Sequence, residues 1–366
     1  MAKASAVEVQ AGGRAVRVSS PDRVVFEATD RTPEVTKLGV AEYVASVDDG
    51  LMRALRGRPT ALERWTSGVR PGMRLATGPQ DKDADAFYQK RVPKGAPDYL
   101  ETARITFPSG RTADEICPTE IAVPVWCAHM GAITFHPWPV RRDPAVEGWQ
   151  DRPDELRIDL DPQPGTTFAD AVRVAGVADG LLRELGLVGW PKTSGNRGVH
   201  VYVRIRPEWD FTDVRHAAIG LGRELERRDP GVTTNWWKEE RGQRIFVDYN
   251  QNCRDRTIAS AYSLRPLPGA PVSTPLSWEE LAELRDPREL NIVTVPERLR
   301  EHGDPWAGID DAAGSLQPLL DLWEELPGGE LNYPPDHPKM PGEPPRVQPS
   351  KKVAAHWDDD GNRVEA

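Results

Sequence analysis

The residues most able to do chemistry are in Arg157-Ile158-Asp159-Leu160-Asp161-Pro162. Apolar and charged residues alternate there, as in a β-strand. Asp159 and Asp161 therefore share a face, about 7 Å apart at their Cα atoms. Two bare carboxylates that close repel, and a divalent cation removes the conflict. Oxygen ligands favour Mg²⁺ or Mn²⁺ over zinc. Pro162 cannot continue a ladder, so the pair belongs at a strand end, where open α/β sheets meet ligands. The pair alone is equally a solvated strand face. A third acid, Asp248, ends the strand-like run Arg244-Ile245-Phe246-Val247-Asp248-Tyr249. If the two strands are neighbours, three carboxylates converge. That is the minimal set for two-metal phosphoryl transfer, in which one ion activates the attacking oxygen and the other steadies the leaving group.

A second cluster suits a polyphosphate. In Thr193-Ser194-Gly195-Asn196-Arg197-Gly198-Val199-His200, two glycines let backbone N–H groups approach an anion. Ser194, Arg197 and His200 add donors. No GK[ST] follows, so this is not a Walker A loop, and it is not GxGxxG. An ordinary hairpin loop and a satisfied core histidine are the plain alternatives. Arg265, in Ser260-Ala261-Tyr262-Ser263-Leu264-Arg265, is a further anion ligand or a surface arginine. Lys238, Arg241 and Arg244 alternate with acids and read as a solvated face. Cys117, Cys127, His129 and His136 match no common zinc spacing.

These residues need elements to hold them. Leu156, Ile158 and Leu160 make a half-buried strand. Thr167 caps a helix whose apolar stripe is Val174, Val177, Leu181 and Leu185, stopped near Gly186. Val199, Val201, Val203 and Ile205 form the next strand. A second helix carries Val214, Ala218, Leu221 and Leu225, and a third strand spans Ile245 to Tyr249. This β-α-β-α-β order predicts a small sheet with helices on one face. Upstream, Thr36 caps a helix with Val40, Val44, Val47 and Leu51 on one side, and 277–302 reads as helical.

The chain has 366 residues and a net charge of −10, with 38% hydrophobic and 28% charged residues. Nucleic-acid binding by bulk charge is disfavoured, although a local basic groove is not. No apolar run approaches the roughly 20 residues a membrane helix needs. The start lacks a signal-peptide pattern, and three cysteines cannot form a disulfide framework, so the expected location is cytoplasmic and nucleoid-associated, with no membrane partner. The organisation read from the sequence is a flexible leader at 1–16, an N-terminal α/β subdomain at 17–150, a catalytic subdomain at 151–305, and a Pro-rich, largely disordered tail at 306–366.

IDLDP, TSGNRGVHVYV, IFVDYNQN and SAYSLRP, in that order and spacing, resemble the polymerase domain of bacterial ligase D, a member of the archaeo-eukaryotic primase superfamily. The likeness covers roughly residues 17–305. It implies an α+β fold, with a primase-type two-lobed core, an RRM-like catalytic sheet and an N-terminal α/β unit that binds DNA ends. It implies that Asp159, Asp161 and Asp248 hold two ions, Mn²⁺ or Mg²⁺, and that Ser194, Arg197, His200, Gln251, Arg265 and His136 bind the nucleotide. Arg197 stands where many relatives carry Lys; the charge is kept but the geometry of the contact changes. For DNA, the resemblance points to Ser20, Arg23 and Lys37 at a 5′-phosphate, and to Phe87, Tyr88 and Lys90 at a base. Ser20 and Arg23 replace the family's usual Asn and Lys. Hydrophobic core is the alternative for Phe87 and Tyr88.

The reading that follows is a metal-dependent primase-polymerase. It would add NTPs or dNTPs to DNA 3′ ends, filling gaps and extending ends in double-strand break or excision repair. Its partners would be 5′-phosphorylated ends, gaps and primer-templates, with Ku and a separate DNA ligase supplied by other chains, since no KxDG motif is present. A metal-dependent nuclease or phosphatase would use the same three acids on water. A non-catalytic end-binding protein is the third reading.

Overall fold

The computed structural model describes residues 5–76, 81–107 and 111–332. The chain opens with a hairpin, β1 (Ala6–Ala11) and β2 (Arg14–Ser19). This corrects the flexible leader. Val9, Ala11, Val16 and Val18 alternate inward and are buried in the core, a period-2 pattern hidden by the polar residues between them. The short strands β3 (Val24–Phe26) and β4 (Val35–Thr36) pair next. Helices α1 (Lys37–Ser46) and α2 (Asp48–Leu55) follow, and Thr36 caps α1 by accepting from the Gly39 N–H. A second sheet holds β5 (Thr60–Arg64), β6 (Phe87–Gln89), β7 (Thr102–Thr106) and β8 (Thr112–Ile116). Helix α3 (Ala122–His129) leads into β9 (Ala132–Pro137), which lies against β5.

The second lobe runs β10 (Glu155–Pro162), α4 (Phe168–Glu184), β11 (Gly189–Thr193), β12 (Val199–Arg204), α5 (Phe211–Arg228), β13 (Val232–Thr233), α6 (Lys238–Arg241) and β14 (Ile245–Val247). The strand order is β11-β12-β10-β14-β13, antiparallel except for β13–β14. With β13 set aside this is a βαββαβ unit, the RRM-like arrangement. Capping boxes start both long helices, Thr167 with Asp170 and Asp210 with Asp213; each cap contributes about 1 kcal/mol. Strand β11 is absent from the periodicity reading because Pro191 sits inside it. Proline is tolerated there because β11 ends the sheet.

Strand β10 is buried on both faces apart from Asp161, not half-buried. The chain then continues through α7 (Trp278–Glu283), α8 (Thr294–His302) and α9 (Gln317–Glu325). Pro287 opens a 3-10 turn between α7 and α8 and splits the helix expected over 277–302. The disordered tail is also corrected in part. Residues 306–332 are folded, with Trp306, Ile309, Leu316 and Leu319 buried in the same core as both lobes. The Pro-rich remainder, 333–366, lies outside the described residues. Among the described residues no helix is long and apolar enough to cross a membrane.

Candidate active site

The three aspartates come together because β10 lies between β12 and β14. Asp159 is directly opposite His200 on β12, and Asp161 opposite Phe246 on β14. Asp248 follows β14 at the start of a 3-10 turn, and its N–H donates to the Asp159 carbonyl at 3.0 Å. Its carboxylate accepts from the Asn250 N–H at 3.1 Å and from Gln251 Nε2 at 3.3 Å. The electrostatics follow from the crowding. Burial pushes the Asp159 carboxyl well above its ordinary value, and Asp161 and Asp248 push it further. Burial lifts Asp248 to about 6, with Asp161 adding to it. Asp161 opens to solvent at the mouth of the site, yet protein on its other sides still raises its carboxyl.

Among the described residues, no three His, Cys, Asp or Glu side chains already close into a metal cage. The donor set nevertheless fits a hard divalent cation. It is all oxygen, and mutual repulsion holds the acids in a state that a cation would relieve.

Beside the acids lies the Thr193–His200 loop. Ser194 Oγ accepts from the Asn196 and Gly198 N–H groups at 3.2 and 3.1 Å, which tightens the turn. Gly195 has φ +74°, and a Cβ there would come within 2.4 Å of Arg265 Cγ. Both features call for glycine. Arg265 Nη1 donates to the Ser194 carbonyl at 3.2 Å. The Arg265 Nε and His200 Nδ1 atoms are buried with no hydrogen-bond partner among the described residues. Buried donors of this kind are normally satisfied. His200 Nε2 is 3.4 Å from Asp159 Oδ1. Arg197 is exposed and close enough to Asp161 to oppose the rise of its carboxyl.

The first lobe contributes His136, buried on β9, with Nε2 3.1 Å from Glu63 Oε2. The Tyr88 ring meets it edge-on at 5.2 Å. Phe87 and Tyr88 are 39% and 46% exposed, so they are not core residues. The Arg64 guanidinium lies 5.2 Å from the Phe87 ring, and Lys90 Nζ 5.3 Å from the Phe107 ring.

A separate cationic corner surrounds Lys37. Ser20 has φ +51° and is exposed, as is Arg23. Lys37 is buried, with Nζ donating to the Ser19 carbonyl at 2.8 Å. Burial, then Arg23, pushes Lys37 down to about 8. Burial, then Lys37, Arg17 and Arg23, pushes His129 down to about 4.

Three residues near the aspartates escaped sequence reasoning. Lys192, fully buried, is opposite His200 in register, so Asp159, His200 and Lys192 form one row across three strands; Nζ donates to Ser273 Oγ. The parity of Lys192 with Ser194 was the available signal, obscured by Pro191. Glu63 orients His136. Arg241, expected on a solvated face, is buried instead, 3.5 Å over the Phe246 ring, and it opposes the carboxyl rise at Asp248 and Asp161. A cavity lined by Asp49, Arg53, Arg56, Arg141 and Asp310 contains none of these groups, and within it Arg141 pairs with Asp310.

Known proteins were compared against this geometry. A Mycolicibacterium smegmatis multifunctional non-homologous end joining protein LigD is 30% identical over 81% of this chain and 36% of its own length. The Pseudomonas aeruginosa protein of the same name is 32% identical over 86% and 35%. The chain thus spans about a third of the length of these relatives. The polymerase domain of Mycobacterium tuberculosis ligase D, solved in complex with DNA, superposes with a TM-score of 0.68 at 28% identity, covering 81% of this chain and 98% of that one. Residues 36–306 match the family described as LigD, primase-polymerase domain. The chain therefore belongs to the LigD primase-polymerase domain family, among the nucleotidyltransferases of the archaeo-eukaryotic primase superfamily.

Proposed function

We propose that this chain is a metal-dependent primase-polymerase that adds NTPs or dNTPs to DNA 3′ ends, filling gaps and extending ends during non-homologous end joining. The observation that carries this reading is the pairing of opposites in one face. Three mutually repelling aspartates adjoin a loop where the Arg265 Nε donor and the His200 Nδ1 atom are buried without hydrogen-bond partners among the described residues. Carboxylates wanting a cation beside donors wanting an anion describe a metal–polyphosphate ligand.

Asp159, Asp161 and Asp248 would hold two ions, Mn²⁺ or Mg²⁺. When bound, these supply Lewis acidity at the attacking 3′-oxygen and the departing pyrophosphate. The protein's own groups orient the triphosphate. Arg265 would donate through Nε, His200 would donate through Nδ1 in its Nδ1–H tautomer, and Arg197 would reach from the exposed loop tip. Ser194 shapes the backbone cradle. Gln251 steadies Asp248, and His136, oriented by Glu63, faces the nucleotide from the first lobe. On the DNA side, Lys37, Arg23 and Ser20 would take a 5′-phosphate, while Phe87 and Tyr88 offer exposed rings for a base, with Lys90 near the backbone. Ku and a separate ligase would join the reaction as other chains.

The test is incorporation of labelled nucleotide onto a gapped primer–template with Mn²⁺, Mg²⁺ or chelator. Metal-dependent extension that Asp159→Ala abolishes supports the reading, and wild-type extension by Asp159→Ala removes it. Net shortening of the primer without added nucleotide would favour the nuclease reading, which the anion-seeking loop beside the acids disfavours.

A further inference from the structure

We propose that the C-terminal segment Gln317–Asn332 is a strap that fixes the turn carrying Asp248, with Glu330 as its positioning residue. The inference rests on the polymerase reading for the role of Asp248, but not for the contacts. The family match ends at residue 306, so the strap lies beyond it.

The strap is seated closely. Helix α9 lies along α5, and a Cβ on Gly220 would come within 2.9 Å of the Leu319 carbonyl oxygen and of the Trp323 nitrogen. Backbone meets backbone at that crossing, which only glycine allows. The His216 ring stacks on Trp323 at 4.3 Å with planes 5° apart. Beyond α9 the chain turns back, and Arg223 donates to the Gly329 carbonyl.

From there a continuous line of hydrogen bonds reaches the site. Glu330 accepts from Arg215 Nη1 and sits 2.9 Å from His216 Nε2. Arg215, fully buried on α5, donates through Nη2 to the Leu331 carbonyl at 2.8 Å and through Nε to Asn250 Oδ1 at 2.9 Å. The Asn332 carbonyl accepts from Asn250 Nδ2 at 2.9 Å and from Tyr249 OH at 3.2 Å. Cys253 Sγ adds a weak contact to Asn250 Oδ1 at 3.4 Å. The strap therefore binds the Asn250 amide directly and through Arg215. The Asn250 N–H in turn donates to the Asp248 carboxylate.

The need for such a brace follows from the site. Asp248 is pushed by Asp161 and held by a one-turn element. Without Glu330, the buried Arg215 guanidinium would lose the carboxylate that its Nη1 bonds. It would swing toward water and release Asn250. Partners one step behind a metal ligand typically change metal affinity by roughly 10–100-fold.

The experiment is Mn²⁺ titration of the full chain by electron paramagnetic resonance, without nucleotide or DNA. Asp159→Ala marks the signal belonging to the aspartate site. Glu330→Ala is expected to weaken Mn²⁺ binding about tenfold and Trp323→Ala about threefold, while Glu330→Gln, which keeps one acceptor oxygen for Arg215 but not the charge, restores part of it. In extension assays the Mn²⁺ half-saturation should rise in parallel with the titration, while nucleotide KM stays within about twofold of wild type, since Arg265 and Ser194 are untouched. A folded Glu330→Ala protein with wild-type Mn²⁺ affinity overturns the proposal. If Glu330→Ala does not fold, wild-type affinity in Trp323→Ala overturns it. A chain that binds Mn²⁺ in this strap-dependent way yet incorporates no nucleotide keeps the strap and removes the polymerase reading.

Discussion

Two ends of one strand face carry the contrast that explains this molecule. Glu155, Arg157, Asp159 and Asp161 alternate along β10 and point the same way. At the Glu155 end each charge is answered. Arg58 and Arg204 both bond Glu155 at 2.9 Å, and Arg157 Nη2 bonds it at 2.8 Å. Asp154 takes a second bond from Arg58 at 2.6 Å. The three arginines hold Glu155 far below the ordinary carboxylate range despite its burial. At the Asp159 end like charges gather, and burial and repulsion drive the carboxyl the opposite way. Both clusters are buried polar groups on the same sheet. One pairs its carboxylates with arginines from both lobes, although Arg58 Nε, Arg157 Nη1 and Arg204 Nε have no hydrogen-bond partner among the described residues. The other crowds like charges together, which marks it as the candidate site.

The sharpest way to break this comparison is to exchange its ends. Asp159→Ala should abolish extension by more than about 10³-fold while leaving the apo protein as stable as wild type or more so, because it relieves repulsion. Glu155→Ala should instead cost about 3–5 kcal/mol in urea unfolding, because it takes from buried Arg157 its carboxylate partner and from Arg58 and Arg204 one of theirs. A destabilised Asp159→Ala protein, or a Glu155→Ala protein of unchanged stability, would erase the distinction.

Next in size is Arg265→Ala. Loss of a charge-assisted phosphate contact should raise nucleotide KM by roughly 10–100-fold, read in steady-state extension, with DNA affinity unaltered.

The pH response sharpens the contrast further. The Asp248 carboxyl is raised, so the fold favours its protonated form. Its stabilising effect is present below the ordinary value near 4 and is lost as pH rises through about 6. Apo protein should therefore lose up to about 1–3 kcal/mol from this group between pH 4 and pH 7, and Asp248→Asn should flatten that slope in denaturation at each pH. Glu155, being lowered, has the opposite sign: its contribution is present above the ordinary value and lost as pH falls below it.

The smallest effect belongs to the cationic corner around Lys37. Lys37→Ala should lower affinity for a 5′-phosphorylated gap about tenfold relative to a 5′-hydroxyl gap and reduce the salt slope by about one, measured by fluorescence anisotropy.

Much of the site was legible locally. The alternation from Leu156 to Asp161 placed two acids on one face, and Asp248 ended a recognisable strand. Thr167 announced its helix. What escaped is instructive. Pro191 hid β11 and with it Lys192. The leader's buried alternation was masked by its polar outward residues, and the tail's folded part was shaded by the Pro-rich stretch beyond it. Arg241 resembled a surface residue because its neighbours Glu239 and Glu240 are charged; packing against Phe246 and Trp236 gives it a buried setting.

The amino-acid order by itself determined the caps, the helix faces and the parity that lines four charges along β10. These depend on neighbours within a turn or on the two-residue repeat of a strand. Packing alone decided that β10 lies between β12 and β14, that Arg58 comes to meet Glu155, and that residues 317–332 reach back to Asn250. Those contacts join residues far apart in the chain. They depend on which surfaces exclude water together, which no local pattern records.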